Sequence, residues 1–385
     1  MSVSPSRPAG AALERLLREA IRREGALPFS RFMREALYHP KLGYYMRGAH
    51  PTGQAGDFVT APEMTPAFGG LVAAFAERLA PSLPSYTLYE FGAGAGTLAR
   101  SVLRALSPPA RPVRYVLVDN HPAAAQGAAS LVKEGLPADA LPYPLPSALS
   151  APGGKCCLVL ANEFLDSFPV EVARRRDDGG WETLHVELRG ETFAEAWRSV
   201  PDDGPLRRYL ERYAEHAEAG QRVEAPASSP ESREPGIEAW LGDVAALTGR
   251  GVAAVFDYGD LAEPLYSPVR RLGTLKCHFR HAVDARPLER AGEKDITASV
   301  NFSYLEDAAR ARGFEARTVE LCAFLLAMGA ERYVRDEKFQ GPARRGLLSL
   351  LDPTGMGGLF KVCVLSRGVE LEPLKTFREI VSAAG

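Results

Sequence analysis

The segment Glu90-Phe91-Gly92-Ala93-Gly94-Ala95-Gly96 places an acid two positions before three alternating glycines. Glycines at that spacing let a backbone turn tightly and approach a ligand that any Cβ would obstruct. A nicotinamide-binding fingerprint needs G-x-G-x-x-G or A; counting from Gly92 puts Thr97 at the last place, so that pattern is broken. Asp119 follows Gly96 by 23 residues, where a doubly wound fold places an acid that can accept both hydroxyls of a ribose. A third set, Asn162, Glu163 and Asp166, offers one amide and two carboxylates close together. Such carboxylates can grip a guanidinium by paired hydrogen bonds and steer electron density onto one nitrogen. The plain alternatives are an ordinary strand-to-helix turn for the glycines and helix caps for Asp119, Asn162 and Asp166.

These residues need strands and helices to hold them. Tyr86–Phe91 reads as a strand, 97–106 as a helix and Val113–Val118 as a second strand, with 122–134 helical and a short third strand at 141–145. Cys156–Ala161 and Val252–Asp257 are continuous apolar runs of the kind buried on both faces of a parallel sheet. The alternation predicts an α/β, doubly wound sheet, with Asn162 and Glu163 pointing into the cleft outside the strand ends. Before it, Leu13, Leu16, Leu17, Ala20 and Ile21 repeat at helical spacing, and Thr65-Pro66 caps a helix to about Ala80. After it, 169–176 and 181–188 read as a hairpin around Asp177-Asp178-Gly179-Gly180, and the polar stretch 190–248 as an inserted subdomain. Ser303 with Glu306 predicts a capping box, Gly313 ends that helix, and 314–320 and 359–365 read as closing strands. The expected parts are 1–83, a helical extension with a covering loop; 84–189, the first part of the core; 190–248, the insert; and 249–385, the second part of the core.

Composition narrows the function. Lys and Arg number 46 against 48 Asp and Glu, which argues against a protein that wraps a polyanion, so no nucleic-acid partner is expected. No apolar run approaches the 18 or so residues that cross a bilayer. The five cysteines form no CxxC pair and the histidines show no ligand spacing, so no metal is expected and the thiols point to the cytoplasm. The basic segment around His278 and His281 reads as a solvated loop.

The acid–glycine turn resembles motif I of class I S-adenosyl-L-methionine-dependent methyltransferases, whose acid, here Glu90, helps hold the methionine end of the cofactor. The wider chain resembles the MidA-like methyltransferases. The resemblance runs through Phe32–Pro40, Leu42-Gly43-Tyr44-Tyr45, Gly56–Glu63, Glu90–Gly96, Ala161–Pro169, Asp257-Tyr258-Gly259, Gly273-Thr274-Leu275, Asp295-Ile296-Thr297 and Gly355–Phe360. It implies a Rossmann-like methyltransferase core with an N-terminal helical extension and inserted subdomains. By the same resemblance Glu90, Gly92, Gly94, Gly96 and Asp119 hold the cofactor, Thr60 and Pro62 lie near its methionine part, and Asn162, Glu163 and Asp166 serve the acceptor. It implies a protein arginine acceptor, in the mitochondrial members a subunit of respiratory complex I. The chain departs from the family in having Asp119-Asn120-His121-Pro122 after the second strand and Asp260 after Asp257-Tyr258-Gly259. A small-molecule methyltransferase, an assembly chaperone that keeps the cofactor as a structural ligand, and a nicotinamide-dependent oxidoreductase are the competing expectations.

Overall fold

Leu158, Val159, Leu160 and Ala161 are fully buried, as are Val252, Ala253, Ala254, Val255 and Phe256. Strands without a polar face belong inside a parallel sheet covered by helices. In the computed structural model, which describes residues 6–47, 59–146, 156–227, 236–280 and 282–370, these two runs pair in parallel, Val159 opposite Ala253. The chain divides into two compact units, one drawn from Val59–Phe164, Glu238–Asp260 and Leu305–Gly385, the other from Met1–Phe58, Leu165–Ile237 and Leu261–Tyr304.

The first unit holds the parallel sheet. Its strands are β1 (Thr87–Phe91), β2 (Arg114–Val118), β3 (Ala138–Leu141), β4 (Cys156–Asn162), β5 (Arg250–Asp260), β6 (Glu315–Glu320) and β7 (Phe360–Arg367). The order across the sheet is β3-β2-β1-β4-β5-β7-β6. β7 runs antiparallel to both its neighbours, while β1 to β5 pair in parallel. The direction of winding reverses between β1 and β4, so their carboxyl ends form the switch point where such sheets bind ligands. Phe68, Leu71 and Phe75 of the helix Pro66–Leu79 join Leu117, Leu158, Phe256 and Phe324 in one buried core.

The third strand is Ala138–Leu141 rather than 141–145. Pro142, Pro144 and Pro146 have no N–H to donate, so the ladder stops where they begin. The pairing of Val118 with Leu141 is its last rung.

The second unit is drawn from stretches that cross the expected parts. The hairpin strands Val170–Arg175 and Trp181–Arg189 share one antiparallel sheet with Thr192–Ser199 and Arg222–Pro226. Leu184 faces Trp197 and Val172 faces Glu224 across it, so the sheet continues beyond the turn at 190–191, where Arg189 pairs with Thr192. Phe29, Phe32 and Met33 of the helix Phe29–Tyr38 pack with Val172, Leu184 and Val186, which draws the N-terminal helices into this unit. Residues 59–83 fall in the first unit, and the 238–248 part of the expected insert does too. The helix expected to start at Ser303 covers Phe302–Arg310. Asn301 Oδ1 accepts the Tyr304 N–H at 3.1 Å, and the Ser303 hydroxyl instead accepts the Ala262 N–H at 3.0 Å.

Candidate cofactor and acceptor site

β1 ends at Phe91, and Gly92, Gly94 and Gly96 all take left-handed φ values, +70°, +51° and +76°. Gly96 stands before the helix Thr97–Ala105. A Cβ on Gly92 would lie 2.7 Å from Phe164 Cδ2, and one on Gly96 2.8 Å from Leu117 Cδ2. Both backbone angle and space therefore demand glycine at these two positions.

Asp119, at the end of β2, closes the same turn. Its Oδ2 accepts the Gly94 N–H at 2.8 Å and its Oδ1 accepts the His121 N–H at 2.8 Å. A carboxylate has about four acceptor positions, so capacity remains for ribose hydroxyls. His121 Nδ1 in turn accepts the Ala123 N–H at 3.2 Å and caps the helix Pro122–Lys133. The role of cap thus falls to His121.

Glu90 is only 4% exposed and receives a 2.6 Å hydrogen bond from the Tyr115 hydroxyl on β2. No sequence signal marks Tyr115, since a tyrosine in an apolar strand looks like core. Burial raises the Glu90 carboxyl to about 8, with the Asp119 charge adding to the rise and the Tyr115 bond opposing it.

The end of β4 carries the third set. Glu163 has φ +48°, an uncommon conformation for a residue with a Cβ and one that gathers at functional sites. Its N–H is held by the Phe256 carbonyl at 2.8 Å. Oε1 accepts the Ala61 N–H at 2.9 Å and the Asn162 amide at 3.3 Å, while Oε2 makes no hydrogen bond among the described residues. Burial raises this carboxyl to about 8, opposed by the Ala61 N–H and reinforced by Asp257. Asp257, wholly buried near the carboxyl end of β5, accepts the N–H groups of Phe164 and Tyr258 at 3.2 and 2.9 Å. Asn162 Oδ1 is buried and has no hydrogen-bond partner among the described residues, an orphaned acceptor beside an acid.

Thr60 precedes the short helix Ala61–Met64, and its N–H and hydroxyl both reach Glu63 Oε2, at 3.0 and 3.1 Å. Pro62 is buried in that helix. Residues 56–58 of the expected covering loop lie outside the described residues. Thr60, Pro62, Glu90, the glycines, Asp119, Asn162 and Glu163 all belong to the first unit. Asp166 does not. It sits in the second unit, 7% exposed, with its carbonyl accepting the Ala298 N–H at 2.8 Å.

Both raised glutamates hold protons more tightly in the folded protein than at their ordinary value of 4.5. Their share of the stability is complete below that value and is lost as the pH climbs through 8. Chemical denaturation should show unfolding free energy falling from about pH 5 to about pH 8.5, with Glu90→Gln removing part of the fall. Parallel curves for the two proteins would refute this assignment.

The strand order, with its antiparallel β7, the acid–glycine turn and the acid ending β2 together define a class I S-adenosyl-L-methionine-dependent methyltransferase. Residues 69–319 match the family described as "Putative S-adenosyl-L-methionine-dependent methyltransferase", and the chain belongs to that family. It is 29% identical to the Drosophila melanogaster protein named "Protein arginine methyltransferase NDUFAF7 homolog, mitochondrial", over 93% of this chain and 85% of that one. To the Homo sapiens protein arginine methyltransferase NDUFAF7, mitochondrial, it is 25% identical over 90% and 81% of the two chains. A Burkholderia thailandensis crystal structure with S-adenosyl-homocysteine bound superposes with a TM-score of 0.83 at 28% identity, covering 96% of each chain. These relatives correct the expected cytoplasmic location, since the curated ones are mitochondrial by name. Among the described residues no helix is long and apolar enough to cross a membrane.

Proposed function

We propose that the protein transfers methyl groups to an arginine side chain of a protein, a respiratory complex I-type subunit by the family resemblance. The observation that carries the acceptor half is that, among the described residues, Asn162 Oδ1 and Glu163 Oε2 at the end of β4 have no hydrogen-bond partner. A guanidinium presents five N–H donors in a planar fork, which suits two neighbouring acceptors. The names of the curated relatives, protein arginine methyltransferases, support the same class of acceptor.

In this reading Gly92, Gly94 and Gly96 offer bare backbone to the cofactor, and Asp119 takes the ribose hydroxyls on its remaining lone pairs. Glu90 would help hold the methionine end, with Thr60 and Pro62 near it. When bound, S-adenosyl-L-methionine supplies a methyl on a sulfonium centre, open to in-line displacement. The protein's work is then to hold the attacking nitrogen about 3–3.5 Å from that carbon and to exclude water. Glu163 enters the complex ionised against the cation and takes up the proton that the nitrogen sheds after transfer. A carboxyl whose value is raised to about 8 is matched to that task near neutral pH. The acceptor half of this reading rests on Asn162 and Glu163 of the first unit, and Asp166 is left out of it.

The test incubates the purified protein with isotopically labelled cofactor and its own cell extract, followed by mass-spectrometric mapping. Label on an arginine of a protein is the expected result. Label confined to small molecules would overturn the acceptor, and no label at all would favour a structural use of the cofactor.

A further inference from the structure

Asp257 has no exposed surface, and a carboxylate taken fully out of water is costly unless hydrogen bonds satisfy it. The bonds it makes fall on the turn that carries Glu163. β4 and β5 stay paired as far as Asn162 opposite Phe256, and the Phe256 carbonyl still accepts the Glu163 N–H at 2.8 Å. The ladder ends there, at the residue with φ +48°. The following N–H, that of Phe164, is met by a side chain rather than a strand. Asp257 Oδ2 accepts it at 3.2 Å, while Oδ1 accepts the Tyr258 N–H at 2.9 Å and fixes the carboxylate.

A residue with a Cβ keeps a left-handed φ only where its surroundings over-determine it. Phe256 and Asp257 grip two successive N–H groups of this turn. The Phe164 ring is wedged against the glycine turn, where a Cβ on Gly92 would lie 2.7 Å from its Cδ2. The same ring packs on Phe91 and Tyr143, with centroids 5.9 and 5.6 Å apart. Backbone and ring together leave Glu163 little freedom to turn back into an extended conformation.

We propose that Asp257 is a positioning residue for Glu163: its carboxylate stands in for a strand neighbour of Phe164, fixes the left-handed turn and so aims Glu163 Oε2 at the acceptor. That role rests on the acceptor function proposed above for Glu163; Asp257 acts through it and not on the substrate. The same placement has an electrostatic consequence. The negative charges of Asp257 and of Glu63, from the helix Ala61–Met64, both oppose ionisation of Glu163. Lys361 faces Asp257 across the β5–β7 ladder, its ammonium donating to the Gly358 carbonyl and lying 3.7 Å from Asp260 Oδ1. Removing the Asp257 charge should therefore let Glu163 ionise at lower pH.

The test combines Asp257→Asn and Glu163→Gln, singly and together, in the full-length protein, and follows methyl transfer from labelled cofactor into its own cell extract. Asp257→Asn alone should slow transfer about tenfold or more, yet cost less than about twofold in the Glu163→Gln background, where no carboxylate is left to aim. The acid limb of the pH–rate profile, present in the wild type and missing in Glu163→Gln, should move to lower pH in Asp257→Asn. Equal losses in both backgrounds, or a slower variant whose limb stays in place, would overturn the role of Asp257 and leave the acceptor reading intact. A Glu163→Gln variant as fast as the wild type would instead remove the acceptor reading, and the role of Asp257 with it. Should Asp257→Asn fail to fold, amide hydrogen exchange on the wild-type protein decides. A Phe164 N–H protected as strongly as that of Glu163 supports the clamp, whereas exchange at the rate of an open loop sinks it.

Discussion

Glu163→Ala should lower the rate of methyl transfer by on the order of 10²–10³-fold while leaving cofactor affinity within a few fold, because the lost group acts where charge is redistributed during transfer. The side chain does two things, and a second variant separates them. Oε1 pins the Ala61 N–H at 2.9 Å, a structural duty that an amide oxygen can also perform. Glu163→Gln therefore keeps the anchor and removes only the charge and the proton acceptor. If the anchor mattered most, the glutamine variant would be nearly as active as the wild type. The expected result is a glutamine variant almost as slow as alanine, with unchanged thermal stability. Because Glu163 sits at φ +48°, Glu163→Gly relieves backbone strain of about 1 kcal/mol. A protein no less stable and yet inactive would show the strained residue to be kept for its carboxylate. Full turnover in either the alanine or the glycine variant would remove Glu163 from the acceptor site.

Asp119→Ala has the next largest consequence, and it falls on cofactor binding. The carboxylate holds the Gly94 and His121 N–H groups at 2.8 Å each, so its loss slackens the glycine turn as well as removing the ribose acceptor. Hydrogen bonds to a charged group contribute about 1.5–3 kcal/mol each. A weakening near 3 kcal/mol, somewhat over a hundredfold in Kd, is the expected outcome by calorimetry with S-adenosyl-homocysteine. Asp119→Asn keeps one acceptor oxygen and should fall between the two. Unchanged affinity in the alanine variant would show that the end of β2 takes no part in holding the nucleoside. The transfer rate at saturating cofactor should recover most of its wild-type value, which distinguishes this lesion from the one at Glu163.

Much of this site was legible in the chain because it depends on local rules. Three left-handed glycines between a strand and a helix need no distant partner to be recognised, and the apolar runs at 156–161 and 252–257 announce doubly covered strands through composition alone. An acid at a strand end, such as Asp119, follows from counting residues. The third strand was misplaced by a few positions because an apolar stretch interrupted by Pro142, Pro144 and Pro146 looks continuous until the absent N–H groups are set against a neighbouring strand.

Other features exist only once remote segments meet. The Tyr115 hydroxyl on Glu90 is a contact across strands. The Ala61 N–H on Glu163 joins residues 102 positions apart, and no periodicity encodes such a pair. Strand pairing, not polarity, decides that the strands between 170 and 226 share one antiparallel sheet. Asp166, three residues after Glu163, belongs to a different compact unit. Sequence by itself determined the kind of fold, the turn and the identity of the acids, since these rest on backbone preference and on the spacing of apolar side chains. The tertiary structure decided which acids are buried, which oxygens are already bonded and which remain open to a ligand, because desolvation and hydrogen bonding depend on neighbours supplied from elsewhere in the chain.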